Sequence, residues 1–383
     1  MTSEEARVRD EGISRKRFLA GAAAVVGGAA AAGAFGGGTA AADGARRGLT
    51  YRGVFYEVGD GESAATAWNA VRMRRDMRAI RHGLHADSVV IAGNGVERLA
   101  ATASEAAERG LNVWLQPRLG DRPETEIMEH LAEAGRVAER MRRQGAGVHL
   151  SVGAEFLLFV PGIVPGDNVL ERVENVMKGN FDPEHMARRL REVIARAAAV
   201  GRSVFNGPLT YGAAADDEVD WSLFDVVSVN YYAYHERRED YVRELRNHRR
   251  WGKPVAISEC GSCTYEGAPQ DGGMGWYAID YTKPEPEIRG NLVRSERTQA
   301  EYLGQVLDVF DSMSLYAAMV YQFVSPELPH RAEPRYDLDM AGYSLVKTIR
   351  DEPFDPESAW HWEPKEAFHT VAGRFRRAAA RRV

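Results

Sequence analysis

The sequence predicts an α/β protein closed into a (β/α)8 barrel, and three observations carry the prediction. Eight short β-like runs alternate with helical patterns along the chain, the signature of parallel βα units. The helical segments carry apolar stripes at three- and four-residue spacing, as a helix laid against a sheet requires. A chain of 383 residues with 44% hydrophobic content can bury a sizeable core. Eight units favour closure into the TIM-barrel architecture over an open sheet.

The first 42 residues read as an export signal. Arg15, Lys16 and Arg17 precede Phe18-Leu19 and a soft run of Ala, Val and Gly from Ala20 to Ala34. Ala40-Ala41-Ala42 then offers a small-residue cleavage site before Asp43. Ser14-Arg15-Lys16-Arg17-Phe18-Leu19 resembles the twin-arginine motif, with Lys as the second member of the pair. An ordinary secretory signal or an uncleaved anchor is the alternative. So much Ala and Gly partitions poorly into lipid, and no other segment approaches spanning length. The expected product is an exported, extracellular or envelope-associated protein with no stable membrane span once the signal is removed.

Residues 43–383 then form one barrel domain. Its strands are expected at Gly53–Val58, Ser88–Ala92, Asn112–Gln116, Val148–Ala154, Pro208–Tyr211, Val226–Asn230, Pro254–Ser258 and Ala317–Gln322. Core stripes run through Ile127, Leu131, Ala134, Val137 and Met141, and through Met186, Leu190, Val193 and Ala197. Tyr302, Val306 and Val309 continue the theme. A final helix is expected after Trp362-Glu363-Pro364, because Pro suits a first helical turn. The longest irregular insertion, 261–291, is rich in Gly and Pro and carries Trp276, Tyr277 and Tyr281. In a barrel it lies over the active-site face.

Composition excludes several functions. A formal net charge of −6 argues against a nucleic-acid partner. The exception is the basic tail at 374–383, with Arg374, Arg376, Arg377, Arg381 and Arg382, which reads as a solvated helix end. Gly59-Asp60-Gly61 lacks the third glycine of a dinucleotide fingerprint, and no Walker loop appears, so no nucleotide cofactor is expected. His85, His235 and His330 stand isolated from any metal spacing, so no metal is expected either. Asp337 and Asp339 suit a cap or turn better than a cation site, since two carboxylates do not make a calcium cage.

The chemistry is expected at the strand ends. Gly252-Lys253-Pro254-Val255-Ala256-Ile257-Ser258-Glu259-Cys260-Gly261 is a short buried run that delivers Glu259 to the barrel mouth. Leu150-Ser151-Val152-Gly153-Ala154-Glu155-Phe156 delivers Glu155 from the fourth strand to the same mouth. Two carboxylates across one mouth are the machinery of glycoside hydrolysis: one protonates the leaving oxygen, the other attacks the anomeric carbon. Glu57 is placed to bind a sugar hydroxyl or to pair with Arg118. The aromatics of the long insertion, Trp276 among them, either stack on sugar rings or anchor their loop.

With those residues in place, the chain resembles clan A glycoside hydrolases from about Tyr51 to about Phe368. The seventh-strand motif fits well. Phe224-Asp225-Val226-Val227-Ser228-Val229-Asn230-Tyr231-Tyr232 is similar to the family's sixth strand, and Gly207-Pro208-Leu209-Thr210-Tyr211 with Trp221 to its fifth. The resemblance implies a retaining hydrolase of β-linked oligo- or polysaccharides, with Glu259 as nucleophile and Glu155 as acid/base. It also implies that Tyr231 or Tyr232 hydrogen-bonds the nucleophile, with Tyr211, Asn230 and Gln322 among the substrate-binding positions. Two departures stand out. The family places Asn before the acid/base, where this chain has Ala154, and a Trp at the eighth strand's end, where it has Tyr321-Gln322-Phe323. A non-catalytic carbohydrate-binding barrel is therefore the alternative.

Cys260 and Cys263, in Cys-Gly-Ser-Cys, are the only cysteines. In an exported protein this spacing is read as a local disulfide bracing the loop after Glu259, ahead of free structural thiols and of a thiol–disulfide exchange function.

Overall fold

The computed structural model describes residues 48–214 and 217–380. The export signal, like Arg381 and Arg382 of the basic tail, lies outside the described residues. Eight parallel strands close into a barrel: β1 (Tyr51–Val58), β2 (Ser88–Gly93), β3 (Asn112–Pro117), β4 (Val148–Ala154), β5 (Leu209–Ala214), β6 (Val227–Asn230), β7 (Val255–Cys260) and β8 (Ala317–Val320). Each strand pairs with its sequence neighbour, and β8 closes on β1 through the register Tyr51↔Ala317 to Val54↔Val320. The fold is a (β/α)8 TIM barrel, as the alternating runs predict.

The outer layer consists of α1 (Ala70–Arg78), α2 (Val96–Glu108), α3 (Glu124–Arg143), α4 (Val169–Lys178), α5 (Pro183–Val204), α6 (Arg238–Arg246), α7 (Glu296–Ser312) and α8 (Glu366–Ala380). Asn69 caps α1 by accepting from the amides of Val71 and Arg72. Asp182 caps α5, with Pro183 at its first turn. The predicted stripe of α3 is buried throughout, with Leu131 at 2% and Ala134 at 0% exposure. Between β5 and β6 the described residues hold only a 3-10 turn, Trp221–Leu223, in place of a helix. α8 follows the Trp360–Pro364 strand, which forms an antiparallel ribbon with Val346–Arg350.

The barrel interior is filled rather than hollow. Phe55, Val90, Trp114, Ala256 and Met319 pack together along its axis. At the base, Trp114 stacks on His149 with ring centroids 4.2 Å apart, and Tyr51 and Tyr316 meet His149 edge-on. Burial pushes His149 down to about 4, so this ring is a neutral packing element near pH 7. No helix among the described residues is long and apolar enough to cross a membrane.

The insertion at 261–291 is more ordered than its composition implies. It contains a short helix at Ala268–Asp271, a 3-10 segment at Gly272–Ala278 and a ribbon pairing Ile279–Asp280 with Glu287–Ile288. Thr264 Oγ1 ties it to Asp339 O at 2.8 Å, and Asp337 and Asp339 are themselves held by ion pairs. Arg294 bridges both carboxylates at 3.0 and 2.9 Å, and the buried Lys365 ammonium lies 2.9 Å from Asp339.

The expected disulfide is not formed. Both thiols are free and buried. The cause is strand geometry: Cys260 points outward into the core between strands and helices, whereas Cys263 packs with Tyr232, Tyr265 and Tyr343 in the layer above. Their sulfurs contact different carbonyls, Met319 O at 3.5 Å and Ala341 O at 3.2 Å.

Candidate active site

Glu155 and Glu259 line one pocket of about 190 Å³ at the C-terminal mouth of the barrel. Strict alternation along β7 would send Glu259 outward, because Ala256 belongs to the barrel interior and Ile257 to the outer core. The register corrects this. Val229 pairs with Ile257 and Asn230 with Glu259, skipping Ser258, while on the other side Ala318 pairs with Ile257 and Val320 with Cys260. This β-bulge lets Ser258 and Glu259 both face the mouth.

A second irregularity aims Glu155. Between the pairs Ser151↔Thr210 and Ala154↔Gly212, β4 has one residue more than β5. Gly153 takes φ +150°, and a Cβ there would sit 2.3 Å from the Phe156 ring. Glu155 itself is left-handed, with φ 44°, although it is not glycine. Such a conformation costs roughly 1–2 kcal/mol, and positions of this kind concentrate at functional sites. Its amide is held by Gly212 O at 3.0 Å, and the next amide, Phe156 N, donates to Tyr211 Oη at 2.9 Å.

Each carboxylate has its own donor. Tyr232 Oη donates to Glu259 Oε2 at 2.8 Å. Burial, and after it the Glu259 charge, holds the Tyr232 phenol well above the usual tyrosine range, so it remains a hydroxyl donor. Asn230 Nδ2 donates to Glu155 Oε1 at 3.1 Å, and Ser258 Oγ donates to Asn230 Oδ1 at 2.8 Å. The serine bond decides the amide's orientation, because only the NH2 end is then left for the carboxylate.

The other predicted positions divide. Arg118 and Trp276 line the pocket, and so does Tyr321, which sequence reasoning passed over in favour of Gln322. Glu57 and Arg118 form an ion pair. Burial opposes the charge on Arg118, but Glu57, Tyr321 and Glu259 outweigh it and keep the guanidinium ionised. Tyr231 does not reach the mouth; alternation turns it outward, where its hydroxyl donates to Glu244 at 3.1 Å. Tyr211 likewise packs in the outer core, fully buried against Phe156 and Phe224. Gln322 lines a separate polar cavity of about 310 Å³ beside the mouth, with Glu57, Arg72, Glu327 and Trp360. Of the loop aromatics, Tyr281 is 42% exposed and Tyr277 packs under Arg289, so only Trp276 enters the site.

Sequence reasoning missed Asp217, which lines the pocket and accepts from Ala214 N at 2.9 Å and Tyr211 Oη at 3.3 Å. The available signal was a carboxylate three residues beyond a barrel strand. It also missed the apolar wall formed by Leu157, Leu158 and Phe159 with Val169 and Val173 of α4. No group of three or more His, Cys, Asp or Glu among the described residues could hold a metal ion.

The whole barrel has solved counterparts. It is similar to a GH113 β-1,4-mannanase, with a TM-score of 0.54 and 14% identity over 86% of this chain and 99% of that one. A GH113 β-mannanase from Alicyclobacillus acidocaldarius gives 0.53 and 15%, over 86% and 98% of the two chains. β-Glucuronidase 2 from Bacteroides uniformis, as a calcium-binding mutant, gives 0.52 and 14%; 85% of this chain matches 34% of that larger protein. At such identities the likeness establishes the fold alone. No protein-family model and no curated protein matches the chain.

Proposed function

We propose that this protein is an exported, retaining glycoside hydrolase that cleaves a β-linked glycoside. The observation that carries the reading is the pair Glu155 and Glu259 in one pocket, each held by a separate donor from β6 or the residues just after it. The Glu259 carboxylate attacks the anomeric carbon as the bond to the leaving oxygen breaks, and Glu155 gives that oxygen its proton. Glu155 then takes a proton from water, which displaces Glu259 and restores both carboxyl groups to their starting states. The fold it shares with β-mannanases and a β-glucuronidase supports the reading and leaves the sugar open.

Export rests on the charged, then weakly apolar, then cleavable pattern of residues 1–42. It is tested by N-terminal sequencing of protein recovered outside the cell, which is expected to begin near Asp43.

The catalytic test is a panel of aryl β-glucosides, β-mannosides, β-galactosides and β-glucuronides with the native protein, Glu259→Ala and Glu155→Ala. At least one sugar is expected to be cleaved by the native protein, with Glu259→Ala at least ~1000-fold slower. Ala154, lining the pocket where the resembling family has Asn, favours the second reading, a carbohydrate-binding barrel without turnover. Binding of a glycoside with no cleavage of any substrate would establish that reading instead.

A further inference from the structure

The pocket lining is of two chemical kinds. Arg118, Glu155, Asp217, Tyr232, Glu259 and Tyr321 bring charges and hydroxyls to it. Leu157, Leu158, Val169, Val173 and Met274, with Trp276, make an apolar wall. These side chains offer no hydroxyl, amide or charge; the methionine sulfur is a weak acceptor and the indole a single donor.

This apolar wall is tied to the acid carboxylate. Phe156-Leu157-Leu158-Phe159 follows Glu155 directly as a helical turn, and Val169 and Val173 lie one turn apart on α4. The wall is also preformed. Arg172 on α4, fully buried, donates to Leu158 O at 2.6 Å and to Gly166 O at 3.0 Å, and its remaining nitrogen pairs with Asp121. A buried guanidinium with three partners locks α4 against the turn that carries Leu157 and Leu158.

From this geometry we infer that the leaving group is an apolar alcohol, alkyl or aryl, rather than a second sugar. The inference rests on the hydrolase reading above, because that reading puts the leaving oxygen beside Glu155 and its substituent against Leu157, Leu158, Val169 and Val173. A sugar ring placed against those apolar side chains would turn several of its hydroxyls toward carbon, which opposes binding. An alkyl chain or flat ring would bury its apolar surface against side chains of matching character.

The test compares methyl, butyl and octyl β-glycosides, below their micelle concentrations, with the β-1,4-linked disaccharides of the same glucosyl, mannosyl and glucuronosyl heads. Binding to Glu259→Gln is measured by calorimetry, and kcat/KM with the native protein. Affinity and kcat/KM are both expected to rise with chain length, by roughly threefold per methylene that reaches the wall. Octyl is expected to exceed methyl and the disaccharide by on the order of 100-fold, the per-methylene gain accumulated over the roughly four methylenes that reach the wall. Leu158→Gln, with its fold checked by circular dichroism, is expected to lower the octyl-to-methyl ratio about tenfold through loss of that apolar contact.

Disaccharide cleavage with no chain-length dependence would overturn the apolar leaving group and leave the hydrolase reading standing. Chain-length-dependent binding without cleavage would uphold the apolar site and overturn hydrolysis. No binding of any compound would overturn both, and an unchanged ratio in Leu158→Gln would remove the wall's role.

Discussion

Asn230, at the end of β6, donates its amide to Glu155, just past the end of β4, at 3.1 Å, although the two residues are 75 positions apart. Ser258 fixes that amide's orientation, and Asn230 is itself the register partner of Glu259. One side chain, 1% exposed, therefore joins the strands that carry both carboxylates. The residue directly before Glu155 is Ala154, so the carboxamide nearest the acid comes from β6 rather than from β4.

Replacing Asn230 separates acid catalysis from other roles. Asn230→Ala is expected to lower kcat about tenfold for glycosides with poor leaving groups, and by much less for nitrophenyl glycosides, which need little protonation. Asn230→Asp would place a second carboxylate beside Glu155. A like charge disfavours ionisation, so the basic limb of the pH–rate profile is expected to move to higher pH. Equal losses on both substrate types, with an unmoved profile, would contradict a positioning role.

Tyr232→Phe removes a hydroxyl that donates to Glu259 at 2.8 Å, while keeping the ring that packs against Tyr343. A hydrogen bond to a charged group is worth roughly 1.5–3 kcal/mol, so a 10- to 100-fold fall in kcat/KM is expected. The acid limb should shift upward, because the carboxylate loses a donor that favours its charged form. Steady-state kinetics from about pH 4 to pH 9 reads both effects.

Glu327 makes stability fall as pH rises. Burial, reinforced by Glu57 and Glu62, pushes its carboxyl up to about 7 from an ordinary 4.5. Burial lifts Asp76 to about 6 despite donors from Trp362 and Tyr56. The folded state thus holds these protons to higher pH than the unfolded chain. Their contribution is fully present below about pH 4 and is lost as pH rises through 6 to 7. Glu327→Gln is expected to match the native protein near pH 4 and to exceed it by about 1–2 kcal/mol at pH 8, a value discounted for the partial exposure of this side chain. Thermal melts of both proteins across that range check the sign.

The cysteines should be silent in the native state. Both are buried, and burial raises both thiols well above the usual range. A thiol reagent is expected to label neither in the folded protein and both in guanidinium, with no mass change on reduction. A mass 2 Da higher after reduction would restore the disulfide.

The eight strands were legible because each is a buried apolar run bounded by turn residues, and β4 has the boundaries its sequence predicts. The Asn230-Tyr231-Tyr232 alternation also contained the answer to which tyrosine meets Glu259, since residues two apart share a face. Other features depend on non-local pairing and leave no periodic trace. The bulge that turns Glu259 inward exists only relative to β6 and β8. The left-handed φ of Glu155 carries no glycine or asparagine to announce it. Arg172 reads as a surface charge on a short helix, yet it is fully buried because Leu158, Gly166 and Asp121 converge on it from three segments.

Attack by Glu259 on the sugar, proposed above, can be trapped directly. A 2-deoxy-2-fluoro β-glycoside with an activated leaving group, built on whichever head group is cleaved, slows breakdown of the glycosyl-enzyme enough for peptide mass spectrometry. Time-dependent inactivation is expected, with the fluorosugar mass on the peptide containing Glu259. A label on any other residue, or full turnover with Glu259→Ala, would contradict it.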